Sequence, residues 1–278
     1  MTSVFTAIDG CKIAYRDEGQ GMPLICLAGL TRDRRDFDYV APHLKGVRMI
    51  CMDYRGRGLS EWSGAESYSI PQESQDVLSL MDHVGLEKAA ILGTSRGGLI
   101  GMGLAATVPQ RIIGLCLNDV GPVLDRAGLD RIDTYLGVPP KAKTHEAMAR
   151  LLAMTPGFAN IPHDRWLEEA THLFNATEDG LALRYDPALR DPFIEAMAGE
   201  IPDAWPLYDM IPDIPMALIR GVNSDLISAA TADEMQARRP RLIRAEVPDR
   251  AHIPFLDEPE ARAALLEFIT QCRDASLD

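Results

Sequence analysis

The stretch Lys88-Ala89-Ala90-Ile91-Leu92-Gly93-Thr94-Ser95-Arg96-Gly97-Gly98-Leu99-Ile100 decides how the chain is read. Lys88 to Leu92 is a near-continuous apolar run, as expected of a strand buried on both faces of a parallel sheet. A helical pattern follows from about Gly97 to Val108 and is ended by Pro109, because proline cannot continue a helix. Between them stands G-x-S-x-G, in the strand, sharp turn, helix context that presents a serine hydroxyl clear of a sheet. The glycines have a steric purpose: a serine on a strained turn needs neighbours without a Cβ where the backbone passes close.

The same rhythm extends in both directions. Val4 to Ile8 and Lys12 to Arg16 flank Asp9-Gly10, a hairpin signal joining two strands. Pro23 to Leu27, Val47 to Cys51 and Ile112 to Leu117 are further buried-strand runs, and Met216 to Arg220 and Leu242 to Val247 resume the series late in the chain. Helical patterns separate them. One starts at Ser69 with Gln72 as a capping box, carries Ile70, Val77, Met81 and Val84 on one face and stops at Gly85. Another, from about Glu258 to Cys272, closes the chain. The sequence therefore predicts an α/β fold with a mostly parallel central sheet that opens with an antiparallel hairpin.

After Asp119 the rhythm breaks. Residues from about 122 to 210 hold no convincing buried strand, but carry helical patterns near Thr144 to Met154, His163 to Phe174 and Pro192 to Ala198. Eleven of the 19 prolines fall between Pro122 and Pro215, so these helices are expected to be short and joined by stiff turns. The chain of 278 residues thus divides into a core of residues 1–121 and 211–278 with a helical insertion at 122–210, rather than two equal domains of roughly 150 residues.

An activated serine needs a general base oriented by an acid, and in this architecture they follow it in the order Asp or Glu, then His. Of the six histidines, His43 and His83 precede Ser95, and His145, His163 and His172 lie in the insertion. His252 remains, in the loop Pro248-Asp249-Arg250-Ala251-His252-Ile253-Pro254-Phe255 between the last strand and the last helix. For the acid, Asp225 at the end of Arg220-Gly221-Val222-Asn223-Ser224-Asp225 is the best placed. Asp119, after the strand Ile112 to Leu117, is its rival.

Composition bounds the partners. Forty-one acidic against 28 basic residues give a net charge of −13, a field that repels nucleic acid and anionic membranes. The first nine residues have neither a basic nor an apolar targeting pattern, and no apolar run approaches a membrane span of about 18 residues, so a soluble, cytoplasmic protein acting on a small molecule is expected. Five cysteines without a CxxC spacing read as small hydrophobes, with Cys26, Cys51 and Cys116 inside apolar runs.

Over its whole length the chain resembles the α/β-hydrolase fold superfamily. The elbow at Ser95, the segments Gly221 to Asp225 and His252 to Pro259, and Asp53-Tyr54-Arg55-Gly56-Arg57-Gly58-Leu59-Ser60, a D-x-R-G-x-G-x-S loop, carry the likeness. The resemblance implies an inserted helical cap over the site and a hydrolase needing no metal or organic cofactor. It also implies an oxyanion hole made by the backbone N–H groups of Leu30 and Arg96. Where the family usually has His-Gly, this chain has Ala28-Gly29-Leu30-Thr31, which removes a side-chain anchor from that loop. The Arg96 side chain is expected to brace the elbow on a buried Asp, with a substrate carboxylate as its alternative partner. Arg32, Arg34 and Arg35, interleaved with Asp33 and Asp36, read as a solvated, charge-balanced loop in preference to an anionic substrate entrance, and Trp166, Trp205, Phe174 and Tyr208 as either pocket lining or the insertion's own core.

The expected reaction is hydrolysis of a small ester, thioester or lactone by Ser95, His252 and Asp225. Carbon–carbon hydrolysis of ring-fission diketones and acyl transfer are alternatives on the same residues, and a capped ligand-binding receptor is the alternative of another class. Haloalkane dehalogenase and epoxide hydrolase chemistry need a carboxylate where this chain has Ser95.

Overall fold

The computed structural model describes residues 2–201 and 203–276, so Met1, Leu277 and Asp278 of the expected core and Pro202 of the expected insertion lie outside it. Strands β1 (Thr2–Thr6) and β2 (Lys12–Gly19) form the opening antiparallel hairpin, with Thr6 opposite Lys12. Its turn places Gly10 at φ 92°, a left-handed conformation that glycine adopts without a Cβ clash. Strands β3 (Met22–Leu27) and β4 (Val47–Met52) follow, then β5 (Ala89–Thr94) and β6 (Ile112–Asn118). Helix α1 (Ile70–His83) begins where Ser69 Oγ accepts from the N–H of Gln72 at 3.3 Å, and α2 (Arg96–Thr107) starts directly at the serine turn.

The stretch between β6 and Met216 departs from a purely helical insertion. It contains α3 (Arg126–Tyr135), which no sequence pattern signalled, α4 (His145–Leu152), α5 (His163–Leu173) and α6 (Arg190–Met197). It also contains a hairpin, β7 (Phe174–Thr177) against β8 (Gly180–Leu183), where a strandless segment is expected. Asp179-Gly180 closes that turn with the same dipeptide as Asp9-Gly10. Helix α7 (Trp205–Met210) packs against α2, and its fully buried Tyr208 donates to the carbonyl of Met235 at 3.2 Å. Apolar Tyr208 and Ile211 join the main core, so this end of the expected insertion packs with the sheet's helices.

The chain then returns to the sheet with β9 (Met216–Gly221), α8 (Ala229–Arg238), β10 (Ile243–Val247) and α9 (Pro259–Ala275). Among the described residues the main sheet has the order β1-β2-β4-β3-β5-β6-β9-β10, parallel from β4 onward. The alternation of side chains along β5 explains its continuous apolar reading. Ala89 and Ile91 face a core built with Val77 and Leu80 of α1 and Ile100 and Leu104 of α2. Ala90 and Leu92 face the opposite core, with Leu265, Phe268 and Ile269 of α9. A strand covered on both faces has no position to spare for a polar residue. Burying one such leucine contributes about 1.5 to 3 kcal/mol, so both layers hold the sheet's ends in fixed relation. Those carboxyl ends carry the site. Among the described residues, no helix is long and apolar enough to cross a membrane.

Candidate active site

Ser95 follows β5 with φ 50° and ψ −116°, a left-handed φ that costs a non-glycine residue of order 1 to 3 kcal/mol. Surrounding backbone forces that geometry. A Cβ on Gly93 would lie 2.5 Å from the carbonyl carbon of Gly97, and one on Gly97 would lie 2.1 Å from the carbonyl oxygen of Leu27. The glycines of the motif are therefore demanded by close approach between β5, α2 and β3. The Ser95 N–H donates to the carbonyl of Asn118 at 3.0 Å, tying the turn to the end of β6.

His252 stands in the loop after β10, and its Nε2 lies 3.0 Å from Ser95 Oγ. Its Nδ1 lies 2.7 Å from Asp119 Oδ2. Asp119 is the residue next after β6, wholly buried, with its backbone at φ 55° and its N–H bonded to the carbonyl of Ile219 at 2.7 Å. Its Oδ1 accepts from the N–H of Gly221 at 2.8 Å, and Oδ2 also accepts from Ser224 Oγ at 2.7 Å. This fixes both carboxylate oxygens in the orientation that meets the imidazole.

The expectation that Asp225 orients His252 is thereby corrected. Asp225 lies on the turn after β9 as expected, but its carboxylate pairs with Arg131 of α3 at 2.7 Å. The residue of that turn which does reach the site is Ser224, through Asp119. Strand position alone cannot separate the two acids, because β6 and β9 are neighbours whose following turns converge on one place.

A hydroxyl, an imidazole and a buried carboxylate in this order can pass a proton from the hydroxyl while the imidazolium is stabilised. Residues 24–265 match the model of the alpha/beta hydrolase family. The chain belongs to the alpha/beta hydrolase family. Over 273 residues, 93% of this hydrolase and 93% of the relative, it is 39% identical to the 3-hydroxybutyrate-oligomer hydrolase of Cupriavidus necator. It is 24% identical to the 2-(acetamidomethylene)succinate hydrolase of Mesorhizobium japonicum, over 94% of the chain and 91% of the relative. An alpha/beta hydrolase from Novosphingobium aromaticivorans of known crystal structure superposes with a TM-score of 0.90 at 36% identity, covering 98% of each chain.

The loop after β3 lies against the serine of this hydrolase: a Cβ on Gly29 would be 3.8 Å from Ser95 Cβ. What holds that loop in place of the missing histidine is Arg57. Its Nε donates to the carbonyl of Leu30 at 2.8 Å and its Nη1 to Glu73 Oε1 at 2.7 Å. Glu73 Oε2 in turn accepts from Arg96 Nε at 2.6 Å, and Arg96 Nη2 donates to the carbonyl of Tyr68 at 3.0 Å. Arg96 thus braces the elbow as expected, but on a glutamate of α1 rather than an aspartate. Arg57 and Glu73 are wholly buried, and burial pulls the Arg57 guanidinium below its ordinary range against the pull of Glu73. The rest of the D-x-R-G-x-G-x-S loop is structural: Arg55 forks onto Asp76 at 2.7 and 2.6 Å, and Ser60 Oγ donates to the carbonyl of Asp53 at 2.7 Å.

The charged loop at Arg32 to Asp36 is balanced but not solvated, which corrects that expectation. Asp33 and Arg34 are buried, Arg34 pairs with Asp53, and Arg35 Nη2 meets Asp33 at 2.7 Å. Arg32 Nη1 joins Asp36 at 2.8 Å and Glu169 of α5 at 3.0 Å. The loop is covered because α5 lies over it. Trp166 and Phe174 belong to an apolar cluster with Phe255 from the His252 loop, with Trp166 and Phe255 ring centres 5.9 Å apart, whereas Trp205 packs with Tyr208 on the main core. Among the described residues no three His, Cys, Asp or Glu side chains gather where they could hold a metal ion. A groove of about 980 Å³ lies around Ile211, Arg239 and Glu267, where β9 and β10 begin, at the opposite ends of the strands from Ser95.

Proposed function

We propose that the protein is a serine hydrolase that cleaves short esters, with Ser95 as nucleophile, His252 as general base and acid, and Asp119 as the carboxylate that orients His252. The observation that carries this reading is the unbroken chain from Ser95 Oγ to His252 Nε2 and from His252 Nδ1 to Asp119 Oδ2. Ser95 Oγ attacks the ester carbonyl while its proton passes to His252. The N–H groups of Leu30 and Arg96 receive the oxyanion, and the Glu73 brace holds both segments that carry them. His252 then returns the proton to the leaving alcohol. Water, deprotonated by His252, splits the acyl-enzyme and regenerates Ser95. Ester and water give acid and alcohol with no other reactant.

The segment between β6 and α7 acts in this reading as a cap. Its supports are the Glu169 contact to Arg32 and the Arg131 contact to Asp225, which bring α5 and α3 down on the loops around the serine. The substrate class is drawn from the relative at 39% identity, whose name states hydrolysis of 3-hydroxybutyrate oligomers: short linear esters of a hydroxy acid. A cytoplasmic setting is supported by five cysteines that are all free and buried.

The test pairs a fluorophosphonate with the 3-hydroxybutyrate dimer. Wild type is expected to be labelled on the peptide containing Ser95 and to release monomer, and Ser95→Ala to do neither. Labelling that survives Ser95→Ala, or turnover of a ring-fission diketone with none of any ester, would overturn the reading.

A further inference from the structure

Arg32 is held by one nitrogen only. Its Nη1 donates to Asp36 Oδ1 and to Glu169 Oε2, while Nε and Nη2 have no protein partner among the described residues. Its side chain keeps 20% of its surface open. A guanidinium so nearly enclosed ordinarily satisfies all five of its N–H groups, and the Nε–Nη2 edge is the fork that matches a carboxylate. This edge sits beside the chemistry. Arg32 Cδ and Ser95 Cβ both lie within 4 Å of the point a Gly29 Cβ would occupy.

Arg32 lines a small cavity with Asp36, Tyr39, Glu169 and Phe255. Glu169 reaches Arg32 from α5, and from α3 the phenol of Tyr135 feels its charge. Burial pushes that phenol up to about 12. Burial works against the Arg32 cation, but Asp36 and Glu169 outweigh it and keep it charged. Burial also pushes Asp36 up to about 7, with Glu169 adding to the rise against the pull of Arg32. A proton taken up by Asp36 near neutrality removes one of the negative charges that face Arg32.

We infer that the Nε–Nη2 edge of Arg32 binds the free carboxylate of an ester substrate and so sets which bond meets Ser95. The inference rests on the serine-hydrolase reading and narrows its substrates to esters that carry an acid group. The short reach from Arg32 to Ser95 admits only the ester bond nearest the carboxylate, so an oligomer is cut from its free acid end. The carboxylate is unchanged by the reaction; water adds across the acyl–oxygen bond alone.

The experiment compares kcat/KM for the 3-hydroxybutyrate dimer and for its methyl ester, which removes the charge and keeps the scissile bond. Wild type is expected to prefer the free acid. Arg32→Met is expected to lose about 10- to 100-fold on the free acid, the range of a lost charge-assisted bond, and at least tenfold less on the methyl ester. Arg32→Met combined with Glu169→Gln, which relieves the stranded acid, is expected to show the same loss of preference, and Arg32→Lys a partial one. Fluorophosphonate labelling of Ser95 in each variant reports whether the site still folds. Equal losses on both substrates in both variants would make Arg32 a latch between the loop and α5 and overturn the proposal, as would a wild type without preference. A wild type that is not labelled and cleaves neither ester would instead sink the serine-hydrolase reading.

Discussion

Two arginine–carboxylate clusters flank Ser95, and they differ in what they leave open. In the first, Arg57 and Arg96 share Glu73; Arg57 lies 5.4 Å from the ring centres of both Tyr54 and Tyr68 and has no exposed surface. Its Nε and Nη1 also reach the carbonyls of Leu30 and Arg55, and its Nη2, shut off from solvent, has no protein partner among the described residues. In the second, Arg32 shares one nitrogen between Asp36 and Glu169, its other edge has no protein partner among the described residues, and a fifth of its side chain is open. The same chemistry serves different ends. A sealed pair whose partners are main-chain carbonyls fixes backbone, whereas a pair with an open fork can receive a ligand. Burial of a charge is therefore weak evidence of function until its free donors are shown to be open to a ligand.

The comparison presumes a nucleophile between the clusters, and the largest effect tests it. Asp119→Asn should lower kcat by about 10⁴-fold, because the imidazole loses its oriented tautomer. Asp225→Asn should change kcat no more than about threefold, as expected when a partly exposed ion pair is lost. The opposite ranking would return the acid to position 225. Next, Glu73→Gln should lower kcat roughly 10- to 100-fold on charged and neutral esters alike, since it loosens both segments proposed to carry the oxyanion donors. A change in KM alone would mean the brace does not act on the transition state.

Smaller again is the substrate-selective loss in Arg32→Met, the mirror image of the Glu73 result. The smallest effect concerns stability. Asp36 titrates near 7 in the fold against an ordinary 3.8, so it favours the fold below about pH 4, and that contribution is lost as pH rises through about 7. Asp36→Asn has no proton to lose, so its Tm should fall less than that of wild type between about pH 5 and about pH 8, by about 2 to 4 °C. Parallel Tm curves would place the proton elsewhere.

Much of the frame was legible because burial on both faces leaves strands such as Ala89–Thr94 and Ile112–Asn118 almost without polar residues. The serine turn was legible for a steric reason, since its glycines sit where a Cβ would strike backbone. The acid was misread because sequence shows which strand a residue follows, not which way its side chain turns. The Asp119 carboxylate is aimed by bonds from Gly221 and Ser224, residues about a hundred positions away. Glu73 was invisible on the same ground: it lies on a helix whose apolar face was clear, and its two arginines come from other elements. The hairpin Phe174–Leu183 did leave a signal, Asp179-Gly180, of the kind that reveals the first hairpin.

The central claim is that an acyl group passes through Ser95. Acid-quenching the protein during turnover of p-nitrophenyl butyrate and mapping peptides by mass tests it most directly. The butyryl group should be found on the peptide containing Ser95, with a burst of one nitrophenolate per chain, and both should vanish in Ser95→Ala. Butyryl on another residue, or hydrolysis that survives Ser95→Ala, would contradict the account.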